Sequence, residues 1–264
     1  MLRAMPTIDD LCAMLTSPDP VVRDQTGYSG FTQRVGAGAA DGDLRRIGDR
    51  MADQHRHPEI QARTFAALGL AMVMIRDEAT AELDAESVLR WRDVFAAWWS
   101  RETDLRGYDD SLGWLHAIAH GADTVEAFGR SRHLDAAELV VLLDLVRQRL
   151  LTPTDHLFAD GEDDRVASAL AVLLPRAELS EAQATEWLTP IRDALQAVRI
   201  HGTFPAWLAN TVRTLNSLYV AIHRGVRFYD PGASRPVVPT SAPHRDAILA
   251  AIAECLRVPN GYIG

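Results

Sequence analysis

The chain has 264 residues and a formal net charge of −9, with 47% hydrophobic and 24% charged residues. That length and balance are those of an ordinary soluble globular protein with a sizeable core. The acidic excess, with no basic stripe, excludes a nucleic-acid footprint.

Helical signals recur along the chain, while no Val/Ile/Thr-rich alternating run competes with them. Asp19-Pro20 opens a helix over roughly 20–35 as N-cap and first-turn proline, and "GAGAADG" ends it. Asp41 is expected to cap "GDLRRIGDRMA", and Pro58 starts "EIQARTFAALGLAMVMIRD". Asp84 caps "AESVLRWRDVFAAWWSRE", whose Val88, Leu89, Trp91, Phe95, Trp98 and Trp99 make a broad apolar face. A helix is expected near 111–127. Asp135 then caps "AAELVVLLDLVRQRLL", Glu162 to Leu174 follow, and Ser180 with Gln183 forms a capping box for "EAQATEWLTPIRDALQAV". Helices near 204–223 and 242–257 close the chain.

The starts at Asp41, Asp84, Asp135 and Ser180 recur every ~45 residues, each followed by a second helix, which is the spacing of HEAT or armadillo repeats. The expected fold is therefore all-α: a right-handed α-solenoid of HEAT/armadillo-like helix pairs, with about 10–11 helices. It reads as a single helical-repeat domain over 1–264. N-terminal helices occupy about 1–40, core pairs 41–223, a Pro-rich loop 224–241 and a C-terminal helix 242–257.

No apolar run reaches the ~18–20 uncharged residues of a membrane span, and acids stand where a signal peptide would need its apolar core. The chain is expected in the cytoplasm, with no membrane and no nucleic acid among its partners. All 27 basic residues are arginine. This removes Schiff-base chemistry, a lysine base and a Walker-type phosphate loop. Cys12 and Cys255 lie near opposite ends and form neither a zinc spacing nor a disulfide framework. They read as buried thiols.

"DSLGWLHAIAHGAD" concentrates the chemistry. His116, His120 and Asp123 fall at i, i+4 and i+7, on one stripe of a helix. They span ~10.5 Å along its axis, too long for one metal to bridge unaided. The residues suit general acid–base catalysis by either histidine with Asp123 orienting an imidazole. They also suit a divalent metal such as zinc, held by His116, His120 and a third ligand such as Glu162. The bland alternative is the polar edge of a buried helix. If second helices line a concave groove, Arg63, Glu162, Asp163, Arg165 and Arg213 join this set as substrate-binding residues. "RETDLRGYDD" adds Glu102, Asp104, Arg106 and Tyr108, which could grip an anionic or polar ligand or simply form a solvated loop capped by Asp110. Glu162 and Asp163 are equally explained as helix N-terminal acids.

The blocks "VVRDQTGYSGF", "RTFAALGLAMVMIRD", "ETDLRGYDDSLGWLHAIAHGAD", "GEDDRVASALAVLL" and "RTLNSLY", in this order over about residues 20–220, resemble the bacterial DUF2785 family, whose function is unassigned. The resemblance implies a bacterial helical protein. It also implies a shared site at Arg23, Asp24, Arg63, Glu102, Asp104, Arg106, Gly107, His116, His120, Asp123, Glu162, Asp163 and Arg165. The sequence departs from the pattern at Thr64 and Ala66, which flank Phe65. The two readings that remain are an enzyme acting on a small polar or anionic molecule, by hydrolysis or lyase-type proton transfer, and a non-catalytic scaffold gripping a peptide, protein or small ligand.

Overall fold

The computed structural model describes residues 5–199, 202–226 and 243–259. Most of the expected Pro-rich loop lies outside these residues. The rest is overwhelmingly helical, so the all-α class holds. The described residues divide into two compact units, one up to His133 and one from Leu134 on.

The first unit begins with α1 (Ile8–Met14), a π-helix (Val21–Tyr28) and α2 (Ser29–Gly36). Asp19 Oδ1 accepts from the backbone N–H of Val21 at 2.9 Å, so it caps the turn as its sequence position suggests. The continuous α-helix expected here is instead wound as π over its first eight residues. Next come α3 (Leu44–Gln54), α4 (Ile60–Thr80) and α5 (Ala85–Trp99), a β-hairpin of two two-residue strands, and α6 (Ala117–Arg130). Asp84 caps α5 by accepting from Ser87 N.

Asp41 does not cap α3. Asp43 holds the N-cap position, and Asp41 instead receives both Arg76 Nε at 2.8 Å and Nη2 at 2.6 Å. A bidentate arginine on the neighbouring helix outcompetes one capping hydrogen bond. α4 is apolar on nearly every face and lies at the centre of the unit, touching α2, α3 and α6, while α3 also packs on α5 and α5 on α6. Trp91, Phe95, Trp99 and Phe128 are fully buried between these helices. Burying Phe95 or Phe128 contributes about 1.5–3 kcal/mol each.

In the second unit, α7 (Ala136–Leu151), α8 (Glu162–Leu173), α9 (Glu181–Glu186), α10 (Thr189–Ala197), α11 (Ala206–Arg224) and α12 (Arg245–Arg257) follow one another. Asp135 accepts from Ala137 N and Glu138 N, and Ser180 with Gln183 forms the expected capping box. The helix expected after Ser180 is broken at residues 187–188, with Pro190 in the first turn of α10. α8 and α11 pack along each other, and α12 lies against α9, α10 and α11.

Both cysteines are buried free thiols. Burial pushes each up to about 11, which leaves them protonated and unreactive. Among the described residues no helix is long and apolar enough to cross a membrane.

Candidate functional site

The segment that leads from α5 to α6 is folded by its own carboxylates. Glu102 is 7% exposed. Its Oε1 accepts the backbone N–H groups of Thr103 and Asp104, each at 3.0 Å, while its Oε2 receives Trp98 Nε1 and Arg63 Nε, both at 2.7 Å. Arg63 spends its remaining reach on the carbonyls of His57 and Pro58, at 2.9 and 2.7 Å. Burial raises the pKa of Glu102, but these donors together outweigh it and hold the carboxyl below its ordinary range. Arg63 and Glu102 thus tie the loop to the head of α4.

Arg106 is similarly occupied. It donates to Asp104 through Nε at 2.9 Å and Nη2 at 2.6 Å, and through Nη1 to Asp109. Asp104 is held below the usual carboxylate range, chiefly by that guanidinium.

The next residues form the hairpin, β1 (Tyr108–Asp109) and β2 (Gly113–Trp114), with Tyr108 opposite Trp114 and Asp109 opposite Gly113. Asp109 Oδ1 accepts from Ser111 N and Leu112 N, both at 2.9 Å, and so builds the turn. Gly113 has φ +72°, and a Cβ there would stand 2.9 Å from Pro20 Cβ, so only glycine fits.

From the π-helix, the buried guanidinium of Arg23 reaches across. It donates through Nη2 to Leu112 O at 2.6 Å and Trp114 O at 3.2 Å, and its Cζ lies 4.6 Å above the Phe65 ring. Its Nε is 2.8 Å from Asp24 Oδ1. Burial lifts the Asp24 carboxyl despite that neighbour.

This hairpin overturns the expected helix over 111–127: α6 begins only at Ala117. Gly107 O takes both Leu115 N at 2.8 Å and His116 N at 3.1 Å, which holds the chain out of helix. His116 is the N-cap residue, in the left-handed conformation with φ 49°. It is therefore not on the stripe of α6. Only His120 and Asp123 are, with Asp123 half-buried about a turn further on. The two histidines still meet, because His120 N donates to His116 O at 2.8 Å and the rings sit edge to face at 5.6 Å.

They belong to a continuous file of rings. Tyr108 meets Trp114 at 5.0 Å, Trp114 meets His116 at 4.5 Å, His120 meets Phe65 at 5.2 Å, and Phe65 meets Tyr28 at 5.9 Å. The file runs from exposed to buried: Tyr108 is 50% and Trp114 45% exposed, His120 only 8%. Trp114 and Phe65 were not among the sequence candidates. The one available signal was Trp114 standing two residues before His116 in "GWLH".

Glu162, Asp163, Arg165 and Arg213 belong to the second unit, at α8 and α11. Glu162 is fully buried, and its Oε2 accepts from Asp160 N at 2.8 Å. Asp163 pairs with Arg213 Nη2 at 2.8 Å, and Arg213 Nη1 also donates to Phe158 O at 2.7 Å. Asn210 completes this clamp on the loop before α8, accepting from Phe158 N and donating to His156 O, both at 2.9 Å. Arg165 is exposed in the first turn of α8.

The structure therefore brings together Arg63 with Glu102, Arg106 with Asp104, Tyr108 with His116 and His120 through Trp114, and Asp163 with Arg213. No curated protein and no solved structure matched the chain. Residues 50–220 match the model of a family described as "Protein of unknown function (DUF2785)". That match takes in the hairpin, both histidines and the α8–α11 clamp, and the chain belongs to the DUF2785 family.

Proposed function

We propose that the first unit carries an enzyme active site in which His116 and His120 act as a general acid–base pair on a small polar molecule. The observation that carries this reading is the edge-to-face contact of the two imidazoles at 5.6 Å, with His116 kept in a left-handed backbone conformation. A non-glycine residue in that conformation is strained, and such strain concentrates at functional sites.

In this reading one imidazole takes a proton from water or from substrate carbon, and the other returns a proton to the leaving group. The amide N–H groups of the first turn of α6 favour the negative charge that develops. Asp123 supports the buried imidazole electrostatically from the same helix. Hydrolysis and lyase-type elimination both use these groups. Arg63 and Arg106 are already bound to carboxylates, so they fix the loop that carries the site, and the substrate need not be an anion. The same imidazoles are the first unit's candidate ligands for a divalent metal such as zinc.

The test is turnover of a panel of esters, amides, phosphoesters and β-elimination substrates by the wild type, His116→Gln and His120→Gln. The metal content of the wild type and His120→Ala is measured alongside. Turnover falling about 10²-fold or more in each folded variant is expected. Undiminished turnover in both, or no turnover across the panel, would overturn the reading.

A second reading is a HEAT-like helical-repeat scaffold that binds a peptide, a protein or a small ligand without chemistry. What favours it is the pairing within the first unit, where α3 packs on both α4 and α5 while α4 packs on α6. Such alternation suits a solenoid of helix pairs. Peptide capture without turnover would decide for it. A cytoplasmic protein without nucleic-acid partners fits either reading, given the net charge of −9.

A further inference from the structure

We propose that the hairpin forms a binding site for an alkylated ammonium group, built from the faces of Trp114 and Tyr108 on a carboxylate-rich segment. The two side chains are cross-strand partners in the hairpin, their centroids 5.0 Å apart and their planes at 74°, and both remain about half exposed. Two large aromatic rings set nearly perpendicular and open to solvent make a corner rather than a flat patch. His116, its ring 4.5 Å from that of Trp114, also packs against the indole. A cation near ring faces is attracted by their quadrupoles, and quaternary ammonium recognition is the best-attested use of such corners.

Charge selects the occupant. Residues 104–116 hold three carboxylates, Asp104, Asp109 and Asp110, against the guanidinium of Arg106, while Arg23, which donates to the hairpin carbonyls, carries its own counter-charge in Asp24. The hairpin is therefore net negative on a protein that is itself at −9.

The hydrogen bonds refine the choice further. Both oxygens of Asp104 receive Arg106, and Asp109 receives Ser111 N, Leu112 N and Arg106. Their charge persists, but their acceptor positions are largely taken. Only the exposed Asp110 offers open carboxylate oxygens, and a primary ammonium, which needs three acceptors to replace its hydration, is poorly served by one group. A quaternary or heavily alkylated ammonium has no N–H to satisfy and gains from ring faces and field alone. The inference stands whether or not His116 and His120 turn over the bound molecule.

The experiment is titration of the full chain with choline and with its neutral isostere 3,3-dimethylbutan-1-ol, followed by the indole N–H resonance of Trp114 and by calorimetry. Saturable choline binding is expected, with the isostere weaker by roughly tenfold or more. Trp114→Ala and Tyr108→Ala should each weaken choline about tenfold, while Trp114→Phe keeps most of the affinity because it restores a ring face. His120→Gln should leave choline binding in place while removing turnover, so the binding site and the acid–base pair fail independently. Equal affinity for the isostere, an unaffected Trp114→Ala, or no saturable choline binding would each overturn the proposal.

Discussion

The indole of Trp99 occupies the space a Cβ on Gly121 would fill: its Nε1 lies 2.0 Å from that position and donates to Ala117 O at 3.0 Å. One glycine thus lets a fully buried tryptophan lie flat on α6 and fasten its first turn, one residue from His116. Gly121→Ala should gain up to about 1 kcal/mol of helix propensity. It would lose more by driving a methyl into a rigid, buried ring, for a net destabilisation of about 1–3 kcal/mol. Urea denaturation measures it, and a stabilised variant would show that Trp99 yields easily.

His116 offers a test of strain against function. A non-glycine residue in the left-handed region costs roughly 1–2 kcal/mol, so His116→Gly should unfold no more easily than the wild type. Any activity should nevertheless disappear with the imidazole. A stability loss above about 2 kcal/mol would mean that packing against Trp114 outweighs the backbone strain.

His55 should make the protein acid-sensitive. It is 3% exposed and stacked on Trp98 at 4.7 Å, and burial pushes its imidazole down to about 3. In the unfolded chain it titrates near 6.5. Between those values the unfolded state holds the extra proton, so stability falls as pH falls, by up to ~1.4 kcal/mol per pH unit. His55→Phe keeps the stacking and should flatten the stability profile between pH 6.5 and 5, as measured by urea unfolding at each pH.

Glu102 acts lower on the pH scale. Its folded carboxyl lies below the ordinary value of 4.5, so its contribution is fully present above that value and is lost as pH falls through the folded one. Glu102→Gln should cost about 1–3 kcal/mol at pH 7, because Arg63 loses its charged partner. The gap from the wild type should narrow below about pH 4. A gap that stays constant down to pH 3 would rule out the ion pair as its source.

In the second unit, Asn210→Ala removes both tethers on the loop before α8 and leaves a buried N–H and a carbonyl unpaired. A loss of about 2–4 kcal/mol is expected, with earlier proteolytic cleavage between residues 152 and 161.

Some of this was legible in the linear chain. The caps at Asp84, Asp135 and Ser180–Gln183 are bonds between residues at most three apart, and each formed where its local sequence placed it. Asp41 failed as a cap because its partner, Arg76, lies 35 residues away and beyond any local signal. The spacing of His116 and His120 suggested one helical stripe. The structure brings the rings together by another route, a hairpin whose turn is fastened by Arg23 from 89 residues upstream.

The sequence by itself determined an all-helical protein, the order of most of its helices, its family, and a concentration of His, Asp and Arg around residues 102–123. The family follows from the resemblance of its sequence blocks, and the rest from periodicity, capping and composition, which act over a few residues. Only the tertiary structure decided that Arg63 is spent on Glu102, 39 residues away, and that His116 stands off the helix. It likewise decided that Trp114, His120 and Phe65 line up from three separate segments. Those outcomes depend on competition between partners distant in the chain, and only packing brings such partners within reach of one another.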